Sequence, residues 1–494
     1  DAVKITEWAR RAGDEARAQL APEDAVRWYR VALDRADPAD QSARVRLLIA
    51  LGDSQRWAAA EGWRETLLDA AKLAEALDDK ESLIQAALAN NRGGTSRSGV
   101  TDAERVAVLE KALVAAGPDV SAERAQLLAT LCIELSQSTD WEHRVGLADE
   151  AVACARHLDD PVILARVLML TSEAIRLPHT YERRLAETDE LFAIAKRVGD
   201  PVLLGIAALR QTRMLIEGAR TDEVSDAMAV LRDVADLHPY TRWNLPVLEA
   251  VLAHVAGELE TATAYCETAL RIARADGQPD AGAIYMAELA MIRYDQGSLH
   301  ELEPQLAAVV ADNPRVTGFR GLLALAWCEC GRLDDARGLL QPSVDSSFSD
   351  HAYGQNWLST MTIFAAVCRD LDHVEGAQML YDILSPWRAL AGASPVSIIG
   401  FVQPTLADLA IVSGDLERAA QDTRDAITLE ERIGARTARV RTSLACASLL
   451  MARGEDREAR AELESAQAQS AALGMQGVHR RASAMISTLA ARRS

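Results

Sequence analysis

From Gly414 onward, apolar residues recur every three or four positions: Leu416, Ala419, Ala420, Thr423, Ala426 and Ile427 share one stripe. Glu417, Arg418, Asp422, Arg424 and Asp425 fill the opposite side. The period is helical, and Asp415 after the glycine is placed to cap the new helix. No window of comparable length alternates apolar and polar residues, so no strands are expected. A glycine followed five and then seven positions later by alanine recurs at Gly257, Ala262, Ala269, at Gly414, Ala419, Ala426 and at Gly454, Ala459, Ala466. Weaker copies begin at Gly297 (Leu302, Val309), Gly331 (Ala336, Ser343) and Asp372 (Ala377, Leu384). The glycine suits a tight turn between antiparallel helices, where φ is positive. The small residues suit the helix crossing, where a larger side chain would push the pair apart.

A second mark ends one helix after another: Asp78-Asp79, Pro118-Asp119, Asp159-Asp160-Pro161, Gly199-Asp200-Pro201, His238-Pro239 and Gln278-Pro279. These marks fall about 40 residues apart, a period that signifies stacked helical repeats. Their carboxylates belong to caps and turns. The expected fold is all-α: a solenoid of helical hairpins wound as a superhelix, with about twelve helix pairs in one continuous array over residues 1–494. Such an array offers a long concave surface in place of one cleft, and its function is usually recognition.

The first unit carries the code in fuller form. Gly13, Ala25, Tyr29 and Ala32, closed by Asp37-Pro38, resemble the tetratricopeptide (TPR) repeat. The period of about 40 is longer than the usual 34 of that family. The resemblance implies that the first helix of each unit lines the concave side. Longer stretches are similar to one subgroup, the C-terminal helical-repeat region of large bacterial signalling proteins. These are Leu20 to Tyr29, Asn90-Asn91-Arg92-Gly93 with Ser96-Arg97-Ser98-Gly99, Pro239-Tyr240-Thr241-Arg242-Trp243, and Asn356-Trp357-Leu358. In that subgroup the array follows an AAA- or NB-ARC-like ATPase fused to a nucleotide cyclase or a LuxR-type DNA-binding domain. The resemblance implies a regulatory array that senses a ligand or protein partner and signals to an upstream ATPase of the same polypeptide. No Walker, cyclase or helix-turn-helix motif lies within these residues, so no catalytic residue is carried over. The start at Asp1, without Met, suggests a C-terminal piece of a larger protein.

Composition agrees with a helical stack. Of 494 residues, 49% are hydrophobic and only 4% aromatic, which favours close-packed Ala- and Leu-rich helices over a β-protein. The net charge of −20 argues against nucleic acid as a direct partner. Seven cysteines without paired spacing suit a reducing cytoplasm. Cys328-Glu329-Cys330 sits in an apolar stretch and reads as buried structural thiols in preference to a metal pair. There is no signal peptide, and the longest apolar run, Val396 to Val412, is broken by Gln403, Pro404 and Asp408, so no membrane span is expected.

Chemistry-bearing motifs are missing from the sequence. There is no phosphate-cradling Gly-x-x-x-x-Gly-Lys loop, no His-Glu-x-x-His pair and no Gly-x-Ser-x-Gly elbow. A non-enzymatic chain with no cofactor and no metal is expected. The alternatives are a passive assembly platform without its own effector, and an enzyme with a site inside the superhelix. Candidate binding residues come from the repeat phase. With the turn glycine at position fifteen, positions two, five, nine and twelve face the groove. For Gly257 these are Asn244, Val247, Val251 and His254. For Gly297 they are Ile284, Ala287, Met291 and Tyr294. For Asp372 they are Ser359, Thr362, Ala366 and Arg369. This lining lacks the Lys/Asn/Arg set by which chaperone-binding TPR domains grip a carboxylate. A protein segment or a small effector is the expected occupant. Tyr240, Arg242 and Trp243 offer recognition surface or, as an alternative for the Trp, packing; Asn356 and Trp357 are read the same way. The Gly/Ser-rich segment around Asn91, Arg92, Ser96 and Arg97 is either a connecting loop or an anion-binding nest that contacts an acidic ligand or the ATPase. A nest predicts that the double variant Arg92→Ala, Arg97→Ala weakens ligand binding and signalling, measured by titration; unchanged affinity and signalling leave a plain loop.

Overall fold

The computed structural model describes residues 2–19, 21–58, 60–91, 101–278, 281–312 and 316–491. The chain divides into two compact units, Asp1–Ile175 and Arg176–Ser494. It is all-α in character, with twenty-five α-helices among the described residues.

Unit 1 holds α1 (Ala2–Ala18), α2 (Pro22–Arg35), α3 (Gln41–Trp57), α4 (Trp63–Ala76), α5 (Lys80–Ala89), α6 (Ala103–Ala116), α7 (Ala122–Glu134), α8 (Trp141–His157) and α9 (Pro161–Ala174). Each odd-numbered helix from α1 to α7 packs on the even helix that follows. From α3 to α9 the odd helices also stack on one another. Gly13 lies within α1, not in a turn. A Cβ there would sit 2.7 Å from the Tyr29 ring, so glycine lets α1 and α2 close. Tyr29 is fully buried, and its hydroxyl donates to Asp14 Oδ1 at 2.7 Å.

Helix boundaries follow local chemistry. Asp78 and Asp159 take left-handed φ values of 53° and 51° and end their helices. The next residues, Asp79 and Asp160, accept the first free N–H groups of α5 and α9. Between α6 and α7 the device differs: Gly117 turns the chain, and Ser121, not Asp119, is the cap.

Unit 2 opens with α10 (Tyr181–Val198), α11 (Pro201–Glu217) and α12 (Ser225–Val234). It continues with α13 (Pro239–Ala256), α14 (Leu259–Ala275), α15 (Ala281–Gln296), α16 (Glu303–Asp312), α17 (Gly318–Glu329) and α18 (Leu333–Asp345). The remainder is α19 (Trp357–Asp370), α20 (Val374–Leu384), α21 (Val402–Val412), α22 (Leu416–Arg432), α23 (Arg436–Ala452), α24 (Asp456–Ala472) and α25 (Gln476–Ala491). The odd helices from α11 to α25 each pack on the next and form a continuous inner layer. The crossing alanines Ala262, Ala419, Ala426, Ala459 and Ala466 are fully buried.

That inner layer returns on itself. Helix α23 lies against α13, and α25 against α15. Two glycines make the second approach possible: a Cβ on Gly297 would lie 2.5 Å from the Gly477 nitrogen. Arg480 Nη2 donates to Gly297 O at 2.8 Å, and Thr221 Oγ1 donates to Ile433 O at 3.1 Å, so hydrogen bonds also bridge the returning turn.

The expectation of no strands is corrected. Strands β1 (Ala391–Ala393) and β2 (Ile398–Phe401) form an antiparallel hairpin, with Ala391 opposite Phe401 and Gly392 opposite Gly400. It lies inside unit 2 against α11, α15 and α19. Ala391, Ala393, Ile398 and Phe401 share an apolar cluster with Leu209, Val251 and Ala438. Gly392 has no side chain because Thr362 of α19 occupies that space. Strands of three and four residues buried on both faces show no alternation, so period two is invisible in them.

Replacing Gly297 by Ala is expected to cost unit 2 roughly 2–3 kcal/mol, from left-handed strain (its φ is +71°) plus the clash with Gly477. Gly277, at φ +67° with open space around it, should lose only about 1 kcal/mol as Ala. Urea unfolding of both variants checks this; equal losses would mean that α15 and α25 do not approach so closely.

Candidate functional site

The inner layer of unit 2 surrounds a cavity of about 440 Å³ that opens at a rim of exposed residues. Successive first helices supply its walls: Tyr294 and Asp295 from α15, Leu325, Cys328 and Glu329 from α17, and Arg369 and Asp370 from α19. Asp408, Ile411 and Val412 come from α21, Arg441, Leu444 and Ser448 from α23, and Arg480, Arg481 and Met485 from α25. Asp372, in the left-handed turn after α19, completes the rim.

The floor is a connected set of ion pairs. Arg369 donates Nε to Asp370 Oδ1 and Nη1 to Asp408 Oδ2, both at 2.9 Å, and also bonds the Tyr294 hydroxyl. Tyr294 Oη donates to Asp370 Oδ2 at 3.1 Å, and Arg481 Nη1 donates to Asp370 Oδ1 at 3.0 Å. Burial alone would raise the Asp370 carboxyl, but Arg369 and Arg481 hold it below its ordinary range. The Tyr294 phenol is pushed up to about 12 by burial. Paired this way, the charges are held in place before any ligand arrives.

A second network adjoins this floor. His254 of α13 is 3% exposed and lies between two carboxylates, with Nδ1 2.9 Å from Glu288 and Nε2 2.9 Å from Asp295. Burial disfavours its charged form, but bonds to Asp295 and Glu288 outweigh that and raise its pKa to about 9. The ring is therefore an imidazolium at neutral pH and donates through both nitrogens. Asp295 also accepts from Arg441 Nη1 at 2.6 Å, and Glu288 accepts the Ile398 N–H of the hairpin at 3.1 Å. His254 thus ties α13, α15, α23 and β2 together.

The residues chosen from the repeat phase separate into two groups. Tyr294 and Arg369 line the cavity. Thr362 belongs with Arg369 to a smaller adjoining hollow beside the hairpin. Asn244, Val247, Val251 and His254 are buried among helices and the hairpin, not open in a groove. Asn244 accepts from Arg213 and donates Nδ2 to Tyr240 O at 2.7 Å. Tyr240 is half-buried and accepts Arg213 Nη1 at 3.0 Å; burial raises its phenol, but Arg210 and Arg213 bring it down to about 8. Trp243 is 3% exposed and packs edge-on to Tyr240, so it is a packing residue. Arg242 is half-buried, paired with Asp276, and does not line the cavity. Asn356 precedes α19 and Trp357 packs edge-on to Tyr353; both are half-buried and neither lines the cavity. Asn91 lies just past α5 in unit 1 and is half-buried. Arg92, Ser96 and Arg97 lie outside the described residues.

The same phase, carried to the remaining turn glycines, finds seven more of the lining residues and leaves Asp295, Asp370, Asp372, Arg480 and Arg481 unreached. Gly331 gives Leu325 and Cys328; Gly414 gives Asp408 and Ile411; Gly454 gives Arg441, Leu444 and Ser448. Cys328 and Cys330 are not both buried thiols. Cys328 faces the cavity half-buried, whereas Cys330 follows the last turn of α17 and is exposed.

No protein-family model matches the chain, and no curated protein matches it. Among solved structures it is similar to the APC/C hetero-tetramer Cut9-Hcn1, at 12% identity over 97% of this chain and 96% of that one, with a TM-score of 0.49. It is similar to yeast Tom70, at 12% identity over 100% and 97%, with a TM-score of 0.22. It is also similar to a circular tandem repeat protein, at 16% identity over 99% and 95%, with a TM-score of 0.14. The TPR-like assignment rests on the helix pairs themselves, because likenesses at these scores carry no argument. No described helix is long and apolar enough to cross a membrane.

The His254 shift has a definite sign. A histidine raised from 6.5 to about 9 stabilises the fold fully below pH 6.5 and loses that contribution as pH rises through about 9. The unfolding free energy should therefore fall by on the order of 3 kcal/mol over that window. The variant His254→Gln should be less stable at pH 7 and show a flatter profile. Parallel profiles for the two proteins in denaturant titrations would contradict the imidazolium assignment.

Proposed function

We propose that the chain is a non-catalytic helical-repeat sensor and scaffold whose unit 2 takes a small effector in its interior cavity. One observation carries this reading: a single cavity touches the first helices of six successive levels, α15 to α25. A ligand there contacts every level of that stack, so it favours whichever helix spacing it fits best. The volume of about 440 Å³ lies in the range of small-molecule sites.

The lining chemistry favours binding over catalysis. The thiol of Cys328 is pushed up to about 12 by burial and stays protonated, which makes it a poor nucleophile. The guanidinium of Arg369 is already held by Asp370, Asp408 and Tyr294. The same interior accepts an extended segment, because its own hairpin is anchored there by apolar side chains and by the Ile398 N–H. Recognition of protein segments by further inner faces of the array fits that chemistry. The stretches from Leu20 to Tyr29 and from Pro239 to Trp243 support an attached ATPase as the receiver of the signal, with cyclase or transcriptional output beyond it.

A thermal-shift panel grouped by charge class (amino acids, dicarboxylates, phosphorylated nucleosides) tests the site. One class should raise the melting temperature by on the order of 5 °C near 100 times its Kd. The cavity-filling variant Ser448→Trp should abolish that shift. No response from any class, or an equal response in the filled variant, would refute an effector site here.

A further inference from the structure

Four guanidiniums and five carboxylates line this cavity, together with an apolar wall. A bare anion entering it meets the carboxylates, and a bare cation meets the guanidiniums. Dianions such as phosphate are the worst matched, because the acids outnumber the arginines. A molecule that carries one charge of each sign close together satisfies both.

The groups at the rim are the ones with capacity to spare. Arg480 and Arg481 are 60% and 47% exposed; Arg480 Nη2 donates to Gly297 O and lies 3.9 Å from Glu329, and Arg481 Nη1 donates to Asp370. Their remaining N–H groups suit a carboxylate. Asp372 is exposed at the rim and suits an ammonium group. Between the charged groups, Leu325, Ile411, Leu444 and Met485 present apolar surface.

We propose that the cavity binds a zwitterion with an apolar side chain, a free α-amino acid of the leucine class, with its carboxylate on Arg480 and Arg481 and its ammonium on Asp372. This inference rests on the reading of the cavity as an effector site and names its ligand class. No bond is made or broken.

Calorimetric titration of the full chain tests it with four probes: leucine, leucine amide (no carboxylate), N-acetylleucine (no ammonium) and inorganic phosphate. Leucine should bind, and each truncated analogue should bind about ten-fold or more weakly. The double variant Arg480→Gln, Arg481→Gln should weaken leucine by about ten-fold and leave leucine amide unchanged. Asp372→Asn should weaken leucine and leave N-acetylleucine unchanged. These rim residues are exposed, so the variants should fold, which circular dichroism checks. Failure of leucine to bind, or analogues within about two-fold of leucine, would overturn the ligand class. Tighter binding of phosphate, lost in Ser448→Trp, would overturn the zwitterion and leave the effector site standing. Leucine binding that survives in Ser448→Trp would place it elsewhere and overturn the proposal.

Discussion

Two glycines facing each other, Gly297 after α15 and Gly477 at the start of α25, set the geometry of unit 2. Any side chain on Gly297 would collide with the Gly477 backbone. Without that approach the inner layer could not return on itself, and the first helices would line an open groove. With it, the layer encloses an interior. The hairpin and the histidine placed there are then shielded from bulk water, and the ion pairs are shielded except at the Arg481 rim.

An enclosed interior changes what charge costs. A lone carboxylate or guanidinium there would lose several kcal/mol of hydration. Those present are therefore tied into chains: Arg369 to Asp370 and Asp408, Arg441 to Asp295, and His254 to Asp295 and Glu288. All but the Arg369–Asp370 pair, which lies within α19, link different helices, so the network fixes helix spacing as it neutralises charge. The hairpin joins through Ile398, whose N–H donates to the same Glu288 carboxylate that His254 orients.

Much of this was legible in the chain, because local chemistry carried it. The turn glycines at 257, 414 and 454 do adopt positive φ, and Asp79, Asp160 and Asp200 do cap helices, since those roles need only near neighbours. The repeat phase reached Tyr294 and Arg369, which line the cavity, and its extension reaches Asp408 and Arg441. It misjudged Asn244 and His254, because a position that faces inward is open only if nothing else fills the interior. What fills it, the hairpin, is two short apolar strands, Ala391–Ala393 and Ile398–Phe401, with no periodic signal. Return of the layer on itself pairs residues such as Gly297 and Gly477, far apart in the chain, and no single repeat announces it.

The central claim is that unit 2 has an enclosed interior lined by its first helices, and two nearby cysteines can report on it. Cys328 faces the cavity with its thiol pushed up to about 12, while Cys330, two residues on, is exposed. Alkylation of the native protein by iodoacetamide, followed by peptide mass spectrometry, compares the two directly. The account predicts that Cys328 reacts about ten-fold or more slowly than Cys330, and that the difference vanishes in denaturant. Equal rates in the native protein would mean that the first helices line an open surface, and the enclosed cavity would have to be abandoned.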